Sequence, residues 1–390
     1  MGERSRVAYV VNNAAFFVSH RLPLALGALS AGFEVILFTG QAGSERMESA
    51  AVAQLAVKGI IHRRTISRSA GLNPLVELLG MLQLIWFMIR YKPDVVHCAS
   101  PKGILYGGIA ARICRVRGLV LAISGMGYAF TNSTDQGIAR RVIKHIYSGL
   151  ARVAFRHPNL QIIVQNEDDR AALVQSDWAV SARVSLIPGS GVDLTLFATF
   201  EAVGKKRIVL LPARMLKDKG VLEFVAAASQ LKMLAPDWQF VLAGAAGYDN
   251  PTAIAQADLE RWQAEGVVQW LGHVDNIVPL FNEASIVCLP SYREGMPKAL
   301  LEAAAAGCAV VTTDVAGCRE AIVPGFTGDL VPVRDVDALV VALFSLIKDD
   351  SRRQAYGKHG RQRAMARFSV ESVVLQTTDI YKELLNDQIR

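Results

Sequence analysis

Two carboxylates in the stretch "REGMPKALLEAAAAG", residues 293 to 307, combine residue types and spacing that could do chemistry. Glu294 stands three residues before Pro297, and Glu302 follows inside an apolar, alanine-rich run. Pro297 suits the first turn of a helix, where its missing N–H is no loss, and Gly307 suits the stop. The preceding "SIVCLPS" is short, apolar and rich in β-branched residues, so it reads as a buried strand. Glu294 then lies in a strand-to-helix turn, and Glu302 projects from the early turns of the helix. Bare N–H groups at a helix start attract phosphate, and carboxylates accept hydrogen bonds from hydroxyls. The combination suits a ligand with phosphate in the middle and polyol at both ends, such as a nucleotide sugar. A solvated loop acid and a helix-surface charge are the plainer reading of the same residues.

Cations stand where such a ligand would need them. After the apolar run "RIVLLP" comes "ARMLKDKG", with Arg214 and Lys219 just ahead of a helix expected near Gly220. Arginine forks and lysine point charges both bind diphosphate oxygens.

The elements that must position these residues alternate along the chain. "RVAYVV", "EVILFT", "DVVHC" and "LVLAIS" are separated by helical stretches in the first half. "RIVLLP", "WQFVLAG", "VVQWLG", "SIVCLPS" and "AVVTTD" are separated likewise in the second. Alternating strands and helices predict parallel sheets, and two series predict an α/β chain of two doubly wound domains facing a central cleft. The expected domains are residues 1–190, completed by a C-terminal helix at about 370–390, and residues 191–369. The joint falls near "IPGSGVDLTLF", residues 187 to 197. Ligands of open parallel sheets bind outside the strands' carboxyl ends, so each site residue is expected to follow a strand.

Composition narrows the class. The 390 residues are 52% hydrophobic and 20% charged, which is the balance of packed domains. Five cysteines without C-x-x-C spacing argue against a disulfide framework or structural zinc and fit a reducing cytoplasm. No signal-peptide core follows the amino terminus, and the apolar run 78–89 is too short to span a bilayer. Residues 1–190 carry a balance of +10 and residues 191–390 one of −3. The basic half predicts an anionic partner. Without a nucleic-acid module, a membrane surface is preferred to nucleic acid. In "IARRVIKHIYSGLARVAFR", Arg141, Lys144, His145, Ser148, Arg152 and Arg156 fall on one helix face, a second basis for lipid contact.

The ordered set "PARMLKDKG", "LAG", "WLGHV", "REGMPKALLEAAAAGCAVVTTDVAGCRE" and "VPGFTGDLV" resembles the donor domain of retaining GT-B glycosyltransferases of family 4, which carry a Glu-x7-Glu motif. The resemblance implies that Arg214 and Lys219 hold the donor diphosphate, Glu294 contacts the transferred sugar and Glu302 holds the ribose. It places the backbone of Gly295, Met296 and Pro297 along the donor and His273 and Val274 beside the base. It also implies no metal and no cofactor. Through "FFVSHRLPLA", "GLNPL", "KPDVVHCASPKG" and "SGMGYAF" the first half resembles the members that extend polyprenyl-diphosphate-linked saccharides. There His20 is expected in the loop after the first strand. His97, at a strand end, is expected to contact the transferred sugar or align the acceptor. Gly125 and Gly127 are expected to allow close approach of acceptor phosphate. Many relatives have a glycine-rich loop after the first strand; here it reads "NNAAFF".

The expected function is transfer of a sugar, most simply from a UDP-hexose or UDP-N-acetylhexosamine, to a lipid-linked saccharide at the cytoplasmic face of the inner membrane. A catalytically silent sugar-nucleotide-binding scaffold is the alternative. A dinucleotide oxidoreductase is disfavoured, because no G-x-G-x-x-G follows a first strand in either half.

Overall fold

A computed structural model describes residues 4–41, 45–68, 73–125, 149–175, 183–197, 204–247 and 250–386. The chain forms two compact units, Met1–Ser190 with Ser372–Arg390, and Gly191–Glu371.

The first unit is built on seven parallel strands: β1 (Arg6–Val11), β2 (Glu34–Gln41), β3 (Ile61–Arg68), β4 (Val95–Ala99), β5 (Gly118–Ile123), β6 (Leu160–Val164) and β7 (Arg183–Leu186). Their order is β3-β2-β1-β4-β5-β6-β7. The second unit contains β8 (Lys206–Pro212), β9 (Gln239–Ala243), β10 (Gln269–Trp270), β11 (Ala284–Leu289), β12 (Ala309–Thr313) and β13 (Gly328–Val331), in the order β10-β9-β8-β11-β12-β13. Both are doubly wound, and the order reverses beside the first strand of each sheet. Central strands are wholly buried, as a sheet covered by helices on both faces requires.

Strands β3, β6, β7 and β13 were not among the sequence expectations. β3 reads "IHRRTISR" at a sheet edge, where charge is tolerated; β7 and β13 are edge strands of four residues each. The expected strand "VVQWLG" shrinks to the two residues of β10.

The loop "NNAAFF" is a capped helix start. Asn13 Oδ1 accepts the Phe16 N–H at 2.8 Å, and helix Ala14–His20 follows. The buried Glu48 carboxylate accepts the Ala14 N–H at 3.1 Å and the Ala15 N–H at 3.3 Å. A carboxylate of the chain thus occupies the donors that a glycine-rich loop would leave for phosphate.

Both histidine expectations need correction. His20 is the last residue of that helix rather than a loop residue, because the Asn13 cap starts the helix directly after β1. Its ring stacks on Phe16 at 4.7 Å, with Nδ1 3.3 Å from the Phe16 carbonyl. His97 is the third residue of β4, not its end, and is 1% exposed. Its Nδ1 shares a 2.7 Å hydrogen bond with the hydroxyl of Tyr381, which is bonded in turn to the Tyr9 hydroxyl at 2.9 Å. Tyr381 belongs to helix Val370–Asn386, so His97 helps seat the C-terminal helix. Its Nε2 has no partner and faces a small cavity also lined by Arg21, Gln165 and Thr377. Burial, and then the Arg21 charge, push its pKa well below the ordinary value, so the imidazole is neutral.

Gly125 follows β5 with φ of +122°, a conformation open to glycine. Gly127 lies outside the described residues, as do Arg141, Lys144, His145 and Ser148 of the basic face. Arg152 and Arg156 of that face are exposed, and so are the neighbouring Leu150 and Val153.

Tyr381→Phe should destabilise the protein by about 1 to 3 kcal/mol, because it strands the Tyr9 hydroxyl and the His97 Nδ1 in the core. Urea unfolding measures this, and an unchanged midpoint would show that the network does not hold the helix. A neutral buried His97 also sets the sign of a pH effect. The unfolded chain takes up a proton near pH ~6.5 and the folded chain only at lower pH. The stability due to His97 is therefore present above that pH and lost as pH falls below it. His97→Asn should flatten this acid slope in urea titrations across the same range.

Candidate functional site

In the second unit the loops after β8 and β11 meet. The β8 loop turns at Gly220, which adopts φ of 73° as the cap of helix Val221–Leu234. A Cβ on Gly220 would lie 2.1 Å from the Pro290 carbonyl oxygen, so glycine is required for this approach. The Tyr292 N–H donates to the Asp218 carbonyl at 2.9 Å and ties the loops together. From below, helix Ala316–Ala321 presents Gly317, whose N–H donates to the Glu294 carbonyl at 3.2 Å. A Cβ there would stand 2.2 Å from the Gly295 oxygen.

This packing brings two expected site residues into contact. Lys219 Nζ donates to Glu294 Oε1 at 2.5 Å, and Ser291 Oγ donates to the same oxygen at 2.7 Å. The Glu294 side chain is 10% exposed and that of Lys219 22%. Arg214 lies on the same β8 loop and is exposed. Gly295 is half-buried, and Met296 is buried against the core formed by Leu289, Leu300 and Leu301.

Helix Lys298–Ala305 begins one residue later than expected, with Pro297 as its flanking cap at φ −73° and ψ 113°. No side chain caps its start and its first turn has no acid. A cation, Lys298, occupies the first position, although a helix's amino end already carries partial positive charge. Lys298 Nζ lies 3.5 Å from Glu302 Oε1, one turn on. Burial raises the Glu302 pKa, and Lys298 only partly offsets this. The arrangement costs local helix stability, because lysine before glutamate is the poorer order. An anion at the helix start would restore the balance. Lys298 and Ser291 were not singled out in the sequence. The signal for Lys298 was its place directly after Pro297 and four residues before Glu302.

His273 and Val274 follow β10, two strands removed from β8 in the sheet order. His273 is exposed with Nε2 3.3 Å from Asp275, and Val274 packs partly against the core. The structure therefore joins Lys219 with Glu294 and Lys298 with Glu302, and it sets His273 and Val274 on another loop along the same sheet edge. Beside Glu294, Tyr292 donates its hydroxyl to Glu223 at 2.6 Å, and the Arg334 guanidinium covers its ring at 4.5 Å. Among the described residues no group of three or more His, Cys, Asp and Glu is gathered to hold a metal.

Comparison with known proteins divides the chain into matching parts. Residues 194–363 match the family model of glycosyl transferases group 1, and residues 6–157 match that of glycosyl transferase 4-like proteins. One similar protein is N,N'-diacetylbacillosaminyl-diphospho-undecaprenol alpha-1,3-N-acetylgalactosaminyltransferase of Campylobacter jejuni. It is 28% identical over 92% of this chain and 94% of its own length. UDP-Gal:alpha-D-GlcNAc-diphosphoundecaprenol alpha-1,3-galactosyltransferase of Escherichia coli is 26% identical over 83% of this chain and 82% of its own. The structure of sucrose-phosphate synthase from Thermosynechococcus elongatus superposes with a TM-score of 0.76 at 19% identity, covering 98% of this chain and 99% of that one. Each of the two doubly wound units thus matches a glycosyltransferase family model, and the fold is that of the GT-B glycosyltransferases.

Proposed function

We propose that the protein is a retaining glycosyltransferase that moves a hexosyl or N-acetylhexosaminyl group from a UDP-sugar to a polyprenyl-diphosphate-linked saccharide in bacterial surface-glycan assembly. Its place would be the cytoplasmic face of the inner membrane, and it would act without bound metal or cofactor. The observation that carries this reading is the Lys219–Glu294 pair beside a helix start that bears Lys298 and no acid. Cationic groups there suit a diphosphate, and flanking carboxylates suit sugar and ribose hydroxyls. The names of the two relatives, both acting on diphosphoundecaprenol-linked sugars and one on a UDP-sugar, support the donor and acceptor classes.

In this mechanism Lys219, Arg214 and the helix start hold the diphosphate, and Glu302 holds the ribose. Glu294, held by Lys219 and Ser291, accepts a hydroxyl of the transferred sugar. The bond from the anomeric carbon to the diphosphate oxygen breaks. The acceptor oxygen bonds to that carbon on the same face, and the leaving phosphate takes the acceptor's proton. Cations and helix dipole stabilise the departing charge. The buried position of His97 suits a positioning role better than direct contact with sugar. A silent sugar-nucleotide-binding scaffold would need none of this machinery for turnover, and the presence of Arg214, Lys219, Glu294 and Glu302 together argues against it.

Three substitutions test the assignment. Lys219→Ala should weaken UDP binding about 10- to 150-fold, the equivalent of about 1.5 to 3 kcal/mol for a charge-assisted hydrogen bond. Unchanged affinity by calorimetry would remove Lys219 from the diphosphate site. Glu302→Gln should weaken UDP and UDP-sugar alike. Because burial raises the Glu302 pKa, wild-type UDP affinity should fall as pH drops through that raised value, and the variant should lose this dependence. Glu294→Gln should bind UDP normally, or slightly better with Lys219 released, yet turn over slower by several powers of ten. Folded Glu294→Gln and Glu302→Gln variants with wild-type turnover would make both acids surface charges. Equal loss of UDP affinity in the two would reverse the donor's orientation.

A further inference from the structure

Helix Pro74–Tyr91 inverts the usual distribution of apolar residues. Leu75, Leu78, Leu79, Leu82, Trp86 and Ile89 are each between 50% and 71% exposed. Their spacing makes one continuous stripe along the helix. The opposite face is already used: Gly80, Leu84, Phe87 and Met88 are buried, and Gly80 abuts Ser67 of β3 closely enough to leave no room for a Cβ. A helix seated in this way on its own sheet cannot also cross a bilayer, because spanning would pull Leu84, Phe87 and Met88 out of the core of the unit. It can lie flat in an interface, apolar stripe outward.

The polar residues of the helix are drawn away from the stripe. Glu77 pairs with Lys102 at 2.9 Å, and Gln83 accepts the Ile66 N–H at 3.0 Å. The exposed surface is therefore uncharged along its length, and its carboxyl end is basic. Arg63, Arg90 and Lys92 are exposed there. Arg63 donates to the Tyr91 hydroxyl at 2.5 Å, and both arginines lie near the Tyr91 ring, at 5.4 and 5.8 Å. Among the described residues no carboxylate pairs with these three cations. An exposed apolar stripe of this extent marks a contact surface, and aromatic residues with cations at its end fit lipid headgroups. The +10 balance of residues 1–190 acts in the same sense.

We propose that helix Pro74–Tyr91 docks the protein onto an anionic bilayer. The Leu75–Ile89 stripe enters the headgroup–acyl boundary, and Arg63, Arg90 and Lys92 meet lipid phosphates. The inference deepens the functional reading by naming the surface that would bring the enzyme to a lipid-borne acceptor. Its test contains neither donor nor acceptor, so docking and transfer fail independently.

The full chain should sediment with vesicles of equimolar phosphatidylglycerol and phosphatidylcholine, and at least tenfold less with phosphatidylcholine alone. Combined Leu78→Ser, Leu82→Ser and Trp86→Ser should reduce binding more than tenfold at any salt concentration. Combined Arg63→Gln, Arg90→Gln and Lys92→Gln should reduce it mainly at low salt, where attraction is unscreened. Circular dichroism establishes that both variants fold. Should the serine variant not fold, quenching of tryptophan emission by brominated lipid serves instead: it should be present in wild type and lost in Trp86→Phe. Equal vesicle binding by wild type and a folded serine variant, or quenching unaffected by Trp86→Phe, overturns the proposal. So does a dimer in light scattering that the serine variant abolishes while wild type ignores vesicles, for then the stripe meets a second copy.

Discussion

Every strand in each of the two sheets runs parallel to its neighbours, and the candidate site depends on that constraint. Parallel strands need crossover helices, so the carboxyl ends of a sheet all open on one edge and all helix starts gather there. In the second unit β8 and β11 are adjacent where the order reverses. Their following loops, 75 residues apart in the chain at Lys219 and Glu294, must then share one patch of that edge. Gly220 and Gly317 make the sharing possible, since a side chain at either would collide with the backbone of the neighbouring loop.

The charges on this patch are arranged against local helix stability and in favour of an anion. A lysine at a helix start and a lysine ahead of its glutamate both run counter to what an isolated helix prefers. The acids Glu294 and Glu302 each hold a lysine. Under the proposed function a diphosphate would compete with the carboxylates for the same cations, and binding at the phosphates would free the acids to take hydroxyls.

The first unit uses polarity in the opposite way. Tyr9, Arg21, His97 and Tyr381 are buried against the middle of the sheet, and the C-terminal helix is fastened there through Tyr381. Leucines and a tryptophan meanwhile face outward on helix Pro74–Tyr91. Hydrogen bonds can be directional where shape must be exact, as at the seat of a returning helix. A non-directional apolar stripe suits a fluid partner.

By itself, the sequence determined the two α/β series, the loops that carry Lys219 and Glu294 and the helix that carries Glu302. These follow from local periodicity and from turn residues such as Pro297 and Gly307, which act within a few positions. It did not reveal β3 or the short edge strands, because their pairing and not their composition makes them strands. It placed His20 in a loop and His97 at a strand end, where the fold has a helix terminus and a buried strand centre. The deciding contacts were the Asn13 cap, whose side chain is local, and the hydroxyl of Tyr381, which arrives from 284 residues away. Only the tertiary structure could show that Lys219 holds Glu294, that Glu48 fills the first helix start, and which face of helix Pro74–Tyr91 is left outside. Each depends on contacts between segments remote in the chain, which residue spacing does not encode.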